Sequence, residues 1–206
     1  MQVDYHFKNS VLLLKPEKHF DERGFFAETY NLKVLKELGV QTKFVQDNYS
    51  FSRLKNVFRG LHIQDAPHAQ AKLVRVLSGS ILDIVVDLRK DSESYLAHKM
   101  FKLSKRNFKQ IYIPLGFAHG FLTLSSNTEI LYKTSDYYYP DLEKTLSWED
   151  ESLNIKLPVK KTDLIISEKD RNAYTSGANS TIISKGDATS VSSTTVAIIG
   201  LGLSIG

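Results

Sequence analysis

The sequence predicts an all-β domain of the sandwich or barrel type with a few short helices. Short segments rich in β-branched and aromatic residues recur along the chain, which is typical of strands. Turn residues separate these segments, as at Ser78-Gly79 and at Ser125-Ser126-Asn127. Long helical patterns do not alternate with the strands, which argues against a doubly wound α/β fold.

The predicted strands are short and similar in composition. They are Val11–Lys15, Lys43–Ser52, Lys72–Leu77, Ser80–Leu88, His98–Leu103, Gln110–Ile113, Gly120–Leu124 and Glu129–Thr134. Apolar and polar residues alternate within Ile81–Asp87, as expected of a strand with one buried face. One helix is predicted at Leu32–Leu38, where Gly39 supplies the C-cap.

The length of 206 residues suffices for one domain with a substantial core. We assign this domain to residues 1–172. Residues 173–206 are predicted to form a flexible extension of unknown role, because Ser, Thr, Ala and Gly dominate them. Thr194–Gly206 resembles a dinucleotide-binding strand with its first glycines. The helix and the acidic residue that this fingerprint requires do not follow, so we assign it no function.

Composition and charge exclude several classes of function. The net charge is +4 with dispersed Lys and Arg residues, which indicates a solvated basic surface rather than nucleic-acid binding and is equally compatible with a small diphosphate ligand. The absence of cysteine excludes disulfides, thiolate metal sites and a cysteine nucleophile. We find no signal-peptide pattern and no apolar run of the ~18–20 residues that a membrane helix needs. We therefore expect a cytoplasmic protein without a membrane partner.

Polar residues suited to catalysis are concentrated in four segments, which are 59–72, 114–121, 132–140 and 167–170. A histidine is the natural base for a weakly acidic proton near neutral pH, and a carboxylate improves it by fixing its tautomer. Asp170, Asp83 and Asp136 are equal candidates for that carboxylate. A lysine could stabilise an enolate oxygen, and a tyrosine could return a proton from the opposite face.

A metal site is the main alternative use of the histidines. Cupin-type barrels often bind metal with a His-x-His pair, whereas this chain reads His62-Ile63-Gln64. Lys72 follows shortly afterwards, and its ammonium would repel a divalent cation. We therefore expect no metal between His62, His68 and His119.

Eight segments occur in an order that carries further information. They are Phe20–Glu28, Gln46–Ser50, Arg59–Gln64, Lys72–Gly79, Asp83–Arg89, Ile113–Leu122, Tyr132–Pro140 and Trp148–Leu153. This ordered set resembles the dTDP-4-dehydrorhamnose 3,5-epimerase family over roughly residues 1–172. The resemblance implies a cupin-type jelly roll and a homodimer with exchanged N-terminal strands. It also implies a nucleotide diphosphate 4-keto-6-deoxy sugar as substrate, inverted at C3 and C5 through an enolate without metal or redox cofactor.

The resemblance implies roles for individual residues as well. His62 matches the catalytic base, Asp170 the carboxylate that orients it, and Tyr132 the acid on the opposite face of the sugar. Lys72 matches the residue near the C4 oxygen. The residues matched to nucleotide, diphosphate or sugar binding are Arg23, Phe26, Glu28, Gln46, Asn48, Arg59, His119, Tyr138, Glu143 and Lys169. Arg23 and its neighbours are expected to reach across the dimer.

Three segments depart from the family pattern, namely Ile63, Asp65–His68 and Lys156–Pro158. They leave open the nucleotide, the exact sugar and whether C5 is inverted as well as C3. The alternatives are a 3-epimerase, an epimerase of GDP- or CDP-linked 4-keto sugars, and a non-catalytic sugar-binding jelly roll. The segment that carries Asp170 argues against a 3,4-ketoisomerase.

Overall fold

The computed structural model describes residues 1–8 and 10–176, and its strands form two facing sheets and one hairpin. In chain order the strands are β1 (Gln2–Phe7), β2 (Val11–Lys15), β3 (His19–Asp21), β4 (Gly24–Phe26), β5 (Gln46–Ser52), β6 (Val57–Gln64), β7 (Lys72–Ser78), β8 (Ser80–Asp87), β9 (His98–Ser104), β10 (Gln110–Ile113), β11 (Phe117–Thr123), β12 (Thr128–Thr134), β13 (Glu143–Thr145) and β14 (Ile165–Ile166).

The strand order defines a jelly roll. The first sheet runs β1-β2-β10-β7-β12-β5, and the second runs β13-β6-β11-β8-β9 with β14 added beside β6. The paired strands are antiparallel except for β14 on β6. Strands β3 and β4 form a separate two-stranded hairpin. The predicted all-β jelly-roll class is thus confirmed.

Helices in the described residues are short. They are α1 (Leu32–Glu37) and α2 (Glu168–Arg171), with 3-10 turns at Pro140–Leu142, Glu151–Leu153 and Lys161–Asp163. The side chain of Asn31 caps α1 by accepting bonds from two backbone amides of its first turn, and Gly39 follows the helix with a φ of +90°. The predicted helix at Leu32–Leu38 is confirmed to within one residue.

The prediction of strands is confirmed for all eight segments, whose ends differ from the observed ones by at most three residues. It missed β6, the strand that carries His62. The alternation of buried and exposed residues fails in this strand, because a bulge interrupts its pairing with β11. The N-terminal strand β1, the hairpin strands β3 and β4 and the short edge strands β13 and β14 were also missed.

The main core lies between the two sheets and includes Val11, Val74, Ile81, Val85, Leu103, Ile111 and Ile130. Two further apolar clusters cover the outer faces. On the first sheet, Leu35 of α1 packs over Leu14 and Leu73. On the second sheet, the C-terminal segment packs Leu146 and Leu153 against Phe58 and Leu61. Each sheet is therefore covered on both faces near the middle of the domain.

Residues 173–176, which the sequence assigned to the extension, contact the domain. Tyr174 bridges to Leu146, its amide donates to the carbonyl of Thr145 at 3.0 Å, and its side chain packs against the outer apolar cluster. The packed part of the chain thus reaches at least Ser176. Residues 177–206 lie outside the described part of the chain, and their assignment as a flexible extension stays a prediction.

Strands β6 and β11 approach unusually closely where two glycines face each other. A Cβ added to Gly60 would lie 2.5 Å from the Cα of Gly120 and 2.8 Å from the carbonyl oxygen of His119. Gly60 also has a φ of +124°, which an L side chain rarely adopts. The register shifts at this point, since two residues of β6 oppose Gly120 alone. The bulge therefore requires a residue without a Cβ.

We expect Gly60→Ala to lower the free energy of unfolding by about 2–6 kcal/mol, because backbone strain and overpacking each cost roughly 1–3 kcal/mol. Urea unfolding followed by tryptophan fluorescence measures this change. Gly24→Ala is the matched control: its φ is +131°, yet no atom lies within 4 Å of the added Cβ. If Gly60→Ala lowered the free energy of unfolding no more than Gly24→Ala does, the close contact of β6 with β11 would not be what requires glycine at position 60.

Candidate active site

A cavity of about 420 Å³ opens between the two sheets at one end of the sandwich. Ten of the residues proposed for the site line it: Gln46, Asn48, Arg59, His62, Lys72, His119, Tyr132, Tyr138, Glu143 and Lys169. These residues come from both sheets and from α2, so the cavity exists only in the folded domain. Its lining is rich in polar and ionisable groups, as expected of a binding or catalytic site.

The first sheet forms one wall through alternating positions of three neighbouring strands. Residues at alternate positions of a strand share a face of the sheet. In this way Lys72 of β7, Tyr132 of β12 and Asn48 of β5 all face the cavity. Tyr132 pairs in register with Asn48, which places the two side chains next to each other.

The second sheet forms the opposite wall, and the bulge in β6 shapes it. Arg59 and His62 are three positions apart, so regular alternation would place them on opposite faces. The extra residue of the bulge resets the alternation, and both side chains line the cavity. His119 of β11 pairs in register with His62. Two histidines therefore lie side by side across from Lys72 and Tyr132.

Asp170 fixes one nitrogen of His62. Its Oδ1 lies 2.7 Å from His62 Nε2, and its Oδ2 accepts a bond from the Gly60 amide at 3.4 Å. Burial raises the pKa of Asp170, but the hydrogen bond and charge of His62 and the amide of Gly60 bring it below its ordinary value. Asp170 is thus ionised, Nε2 of His62 carries a proton, and Nδ1 is left to face the cavity.

Each of the three candidate aspartates pairs with a different histidine. The pairs are His62–Asp170, His119–Asp83 and His68–Asp136, with N–O distances of 2.7, 2.8 and 3.1 Å. The pair formed by Asp83 is buried, and burial lowers the pKa of His119. The pair formed by Asp136 lies in loops outside the cavity lining. Of the three, only Asp170 contacts His62.

Glu143 of β13 joins three residues of the cavity. Its Oε1 lies 3.8 Å from His62 Nδ1, and its Oε2 accepts bonds from the Tyr138 hydroxyl at 2.7 Å and from the Lys169 ammonium. Burial raises the pKa of Glu143, but the bonds from Lys169 and Tyr138 and the nearby His62 hold it below its ordinary value. Glu143 is therefore an anion that lies beside His62 and holds Tyr138 and Lys169 in place.

The environment shifts the pKa values of the two groups on the first wall. Burial lowers the pKa of Lys72 to about 8, although the charges of Glu143 and Asp83 act in the opposite direction. Burial also raises the pKa of Tyr132, and the charge of Glu143 adds to this effect. At neutral pH the wall thus presents an ammonium and a neutral phenol. Together with His62, the site holds a base, an acid and a cation around one cavity.

Three of the proposed binding residues do not reach this cavity. Arg23 lies in the β3–β4 hairpin, where it pairs with Asp21 and its side chain is 89% exposed. Phe26, at the end of β4, is 68% exposed. Glu28 accepts bonds from the Asn31 side chain at 3.2 Å. The structure of one chain therefore brings together the central residues of the site but leaves this group on the surface.

Two glutamines in the segment 59–72, for which no role was predicted, hold the segment that carries Tyr138. Buried Gln64 donates to the carbonyl of Tyr137 at 2.9 Å and accepts from the amide of Tyr139 at 2.9 Å. Gln70 donates to the carbonyls of Asp136 and Tyr137 at 2.9 and 3.0 Å. These bonds satisfy backbone carbonyl and amide groups of a loop at the cavity mouth. The sequence offered one signal for Gln64: it lies two positions after His62, and alternate positions of a strand share a face.

The described residues contain no group of three or more His, Cys, Asp or Glu side chains that could hold a metal ion. His62, His68 and His119 each pair with a separate aspartate instead. The expectation of a site without metal or cofactor stays a prediction. In the same described part of the chain, no helix has the length and apolar character needed to cross a membrane.

Comparison with known proteins matches this chain to one enzyme family. The family model described as dTDP-4-dehydrorhamnose 3,5-epimerase matches residues 8–176. The epimerase of that name from Methanothermobacter thermautotrophicus is 44% identical over 165 residues, covering 80% of this chain and 88% of the relative. The one from Escherichia coli K12 is 45% identical over 166 residues, covering 80% of this chain and 89% of the relative.

Solved structures give the same result. The Bacillus anthracis dTDP-4-dehydrorhamnose 3,5-epimerase with TDP and pyrophosphate bound superposes with a TM-score of 0.82 at 44% identity, covering 84% of this chain and 98% of that one. The Legionella pneumophila 3,5-epimerase in complex with dTDP-4-keto-L-rhamnose gives a TM-score of 0.75 at 41% identity, covering 79% of this chain and 86% of that one.

The depressed pKa of Lys72 has a consequence for stability. Its folded value of about 8 lies below the ordinary 10.5, so folding disfavours the charged form. The resulting destabilisation is fully present below pH 8 and disappears as the pH rises towards 10.5, because the unfolded chain then binds the extra proton. We expect Lys72→Met to unfold at higher urea concentration than the wild type at pH 7, with a smaller difference at pH 10. Equal stability differences at both pH values would contradict this.

Proposed function

Because this chain belongs to the dTDP-4-dehydrorhamnose 3,5-epimerase family, we propose that its cavity holds the sugar between His62 on one wall and Tyr132 on the other. The protein is an isomerase that inverts C3 and C5 of dTDP-4-dehydro-6-deoxyglucose to give dTDP-4-dehydrorhamnose. The proposal concerns the residues that perform this reaction. The observation that supports it most is the His62–Asp170 pair facing Tyr132 across the cavity.

The ketone at C4 makes the chemistry accessible to ordinary side chains. It acidifies the protons on C3 and C5, so removal of either proton gives an enolate. His62 Nδ1 takes the proton, and Asp170 stabilises the imidazolium that forms through its bond to Nε2. Tyr132 donates a proton to the same carbon from the other face, which inverts it. The steps conserve electrons and need no redox cofactor.

Lys72 is proposed to stabilise the enolate oxygen. Its ammonium projects into the cavity from the wall that carries Tyr132. A buried cation stabilises a developing oxyanion more strongly than water does, since it is already oriented and the surroundings screen it less. His119 is the neighbouring side chain on the opposite wall, and its Nε2–H donates to Asp83. Burial lowers its pKa, so it is a neutral imidazole held by Asp83 rather than a second base.

Residues at the cavity mouth suit the nucleotide and its diphosphate. Arg59 and Lys169 supply positive charge, and Tyr138 offers a half-exposed aromatic ring for a base to stack on. Gln46 supports this ring by accepting a bond from the Tyr138 amide at 3.3 Å. We assign Gln46 and Asn48 to polar contacts with the ligand. Nucleoside triphosphates, from which nucleotide sugars are built, are cytoplasmic compounds, so we propose that compartment for the enzyme.

We also propose a homodimer in which the N-terminal region of one protomer completes the site of the other. The β3–β4 hairpin supports this arrangement, because the rings of Phe20 and Phe25 pair on it at 5.7 Å and are 74% and 49% exposed, and Phe26 beside them is 68% exposed. Exposed aromatic clusters of this kind are typical of interaction surfaces. Arg23 lies at the turn of the same hairpin and could reach a diphosphate in the partner.

Solvent proton exchange tests the catalytic roles. In D2O with dTDP-4-keto-6-deoxyglucose, we expect deuterium at both C3 and C5 by NMR. His62→Ala should abolish incorporation, and Asp170→Asn should lower it by roughly 10²–10⁴-fold, since it removes the carboxylate that fixes the tautomer. Deuterium at C3 alone would make the enzyme a 3-epimerase. Undiminished exchange in Asp170→Asn would contradict the proposed dyad.

Subunit complementation tests the shared site. Arg23→Ala and His62→Ala are each expected to be nearly inactive alone. Co-expressed in equal amounts, they should recover about a quarter of wild-type activity. Roughly half of the dimers are then mixed, and each mixed dimer holds one site of two with both residues intact. Differently tagged chains allow the mixed dimer to be purified and assayed. Activity equal only to the sum of the two variants would show that Arg23 serves its own protomer or no site at all.

A further inference from the structure

If one bound sugar is inverted at two carbons, as the proposed function has it, His62 and Tyr132 must regain their starting protonation states between the two inversions. We rest this inference on that proposed function. After the first inversion, His62 carries the proton it removed and Tyr132 has lost the one it gave. The second inversion needs a neutral His62 and a protonated Tyr132 again. The bound sugar lies against Nδ1 of His62 at that moment and shields it from bulk water. Some group beside Nδ1 must therefore take the proton.

Glu143 occupies that position. Its side chain is 13% exposed, and its Oε1 lies 3.8 Å from His62 Nδ1. Catalytic hydrogen bonds are often long without substrate and shorten in the complex, so this distance suits a proton transfer. Both donors to Glu143, the Tyr138 hydroxyl and the Lys169 ammonium, bind Oε2. Oε1 therefore keeps its lone pairs free towards the imidazolium.

We propose that Glu143 resets the acid and base between the two inversions by carrying the proton away from His62 while the sugar stays bound. The N–H bond at Nδ1 breaks and an O–H bond forms on Oε1. The carboxylic acid then gives this proton to water at the cavity mouth. Tyr132 takes a proton from the same water. The net change converts the imidazolium of His62 and the phenolate of Tyr132 into a neutral imidazole and a neutral phenol.

The surroundings favour the net movement of the proton towards Tyr132 and a short stay on Glu143. Burial raises the pKa of Tyr132, so its phenolate is a strong base that regains a proton readily. The bonds from Lys169 and Tyr138 hold the pKa of Glu143 below its ordinary value. Glu143 is thus ionised when the cycle begins and releases a captured proton quickly. It acts as a carrier between the base and the solvent, not as a site where the proton stays.

A purely structural role for Glu143 makes a different prediction. Glu143 also fixes Lys169 and Tyr138, and loss of that support alone would weaken nucleotide binding to the same extent as loss of Lys169. A carrier role affects only the second inversion, because the first begins with His62 already neutral. The ratio of singly to doubly inverted product, compared between Glu143→Gln and Lys169→Met, therefore separates the two roles.

The test is a time course in D2O with quenched samples read by NMR and mass spectrometry. The wild type should release sugar that is inverted and deuterated at both carbons. Glu143→Gln should raise the ratio of singly to doubly deuterated released sugar by about tenfold or more, since a positioned proton-transfer group contributes roughly 10²–10⁴-fold. Glu143→Ala should show the same defect, and added formate should reverse it by supplying a carboxylate.

Two control variants complete the design. Lys169→Met removes the partner of Glu143 but keeps the carboxylate, so it should raise KM while raising the product ratio far less than Glu143→Gln does. Glu37→Gln, on the exposed face of α1, should behave like the wild type. An unchanged ratio in Glu143→Gln, or the same change in Lys169→Met, would overturn the proposal. Wild-type protein that incorporates no deuterium at either carbon would instead refute the assigned reaction.

Discussion

The close approach of Gly60 and Gly120 is the constraint on which the rest of the site depends. Without a Cβ on either residue, β6 and β11 can sit close enough to accommodate an extra residue in β6. That residue resets the alternation of side chains and turns His62 into the cavity. The amide of Gly60 also donates to Asp170, so one bulge both aims the base and helps to hold its carboxylate.

The C-terminal segment completes the site because it is attached to the same strand. Leu146 and Leu61 exchange two backbone hydrogen bonds, of 2.8 and 3.2 Å, beside His62. Glu143 pairs in register with Gln64, which brings its carboxylate to the level of the cavity. The chain then packs Leu153 and neighbouring apolar residues over the outer face before α2 returns Asp170. Apolar burial outside the sheet thus holds the two carboxylates that flank His62.

The sequence predicts the strands and the residue types of the site better than it predicts which side chains of the site pair with each other. Short β-rich segments are recognisable locally, and the eight predicted strands needed no long-range information. The choice of Asp170 over Asp83 and Asp136 was open from residue types alone, since each aspartate pairs with a histidine far away in the chain. The resemblance to a family was needed to choose.

The features that the sequence could not indicate depend on contacts between distant parts of the chain. β6 escaped prediction because the bulge removes its alternation, and Gln64 escaped because its partners are backbone groups of a loop 73 and 75 positions away. Arg23 and Phe26 lie on the surface of one chain, so no single-chain argument places them in a site. The departure at Ile63 also has a structural place: it packs against the outer apolar cluster rather than lining the cavity.

The buried charged groups of the site lower the stability of the fold, and their arrangement indicates a role in catalysis. Lys72 is an ammonium that burial disfavours, and Asp83 has a buried carboxylate oxygen without a hydrogen-bond partner in the described part of the chain. A chain selected for stability alone would replace such groups by apolar ones. Here the charge of Asp83 supports Lys72 while its other oxygen fixes His119. One buried carboxylate thus supports the cation that an enolate would require and fixes the imidazole of the neighbouring His119.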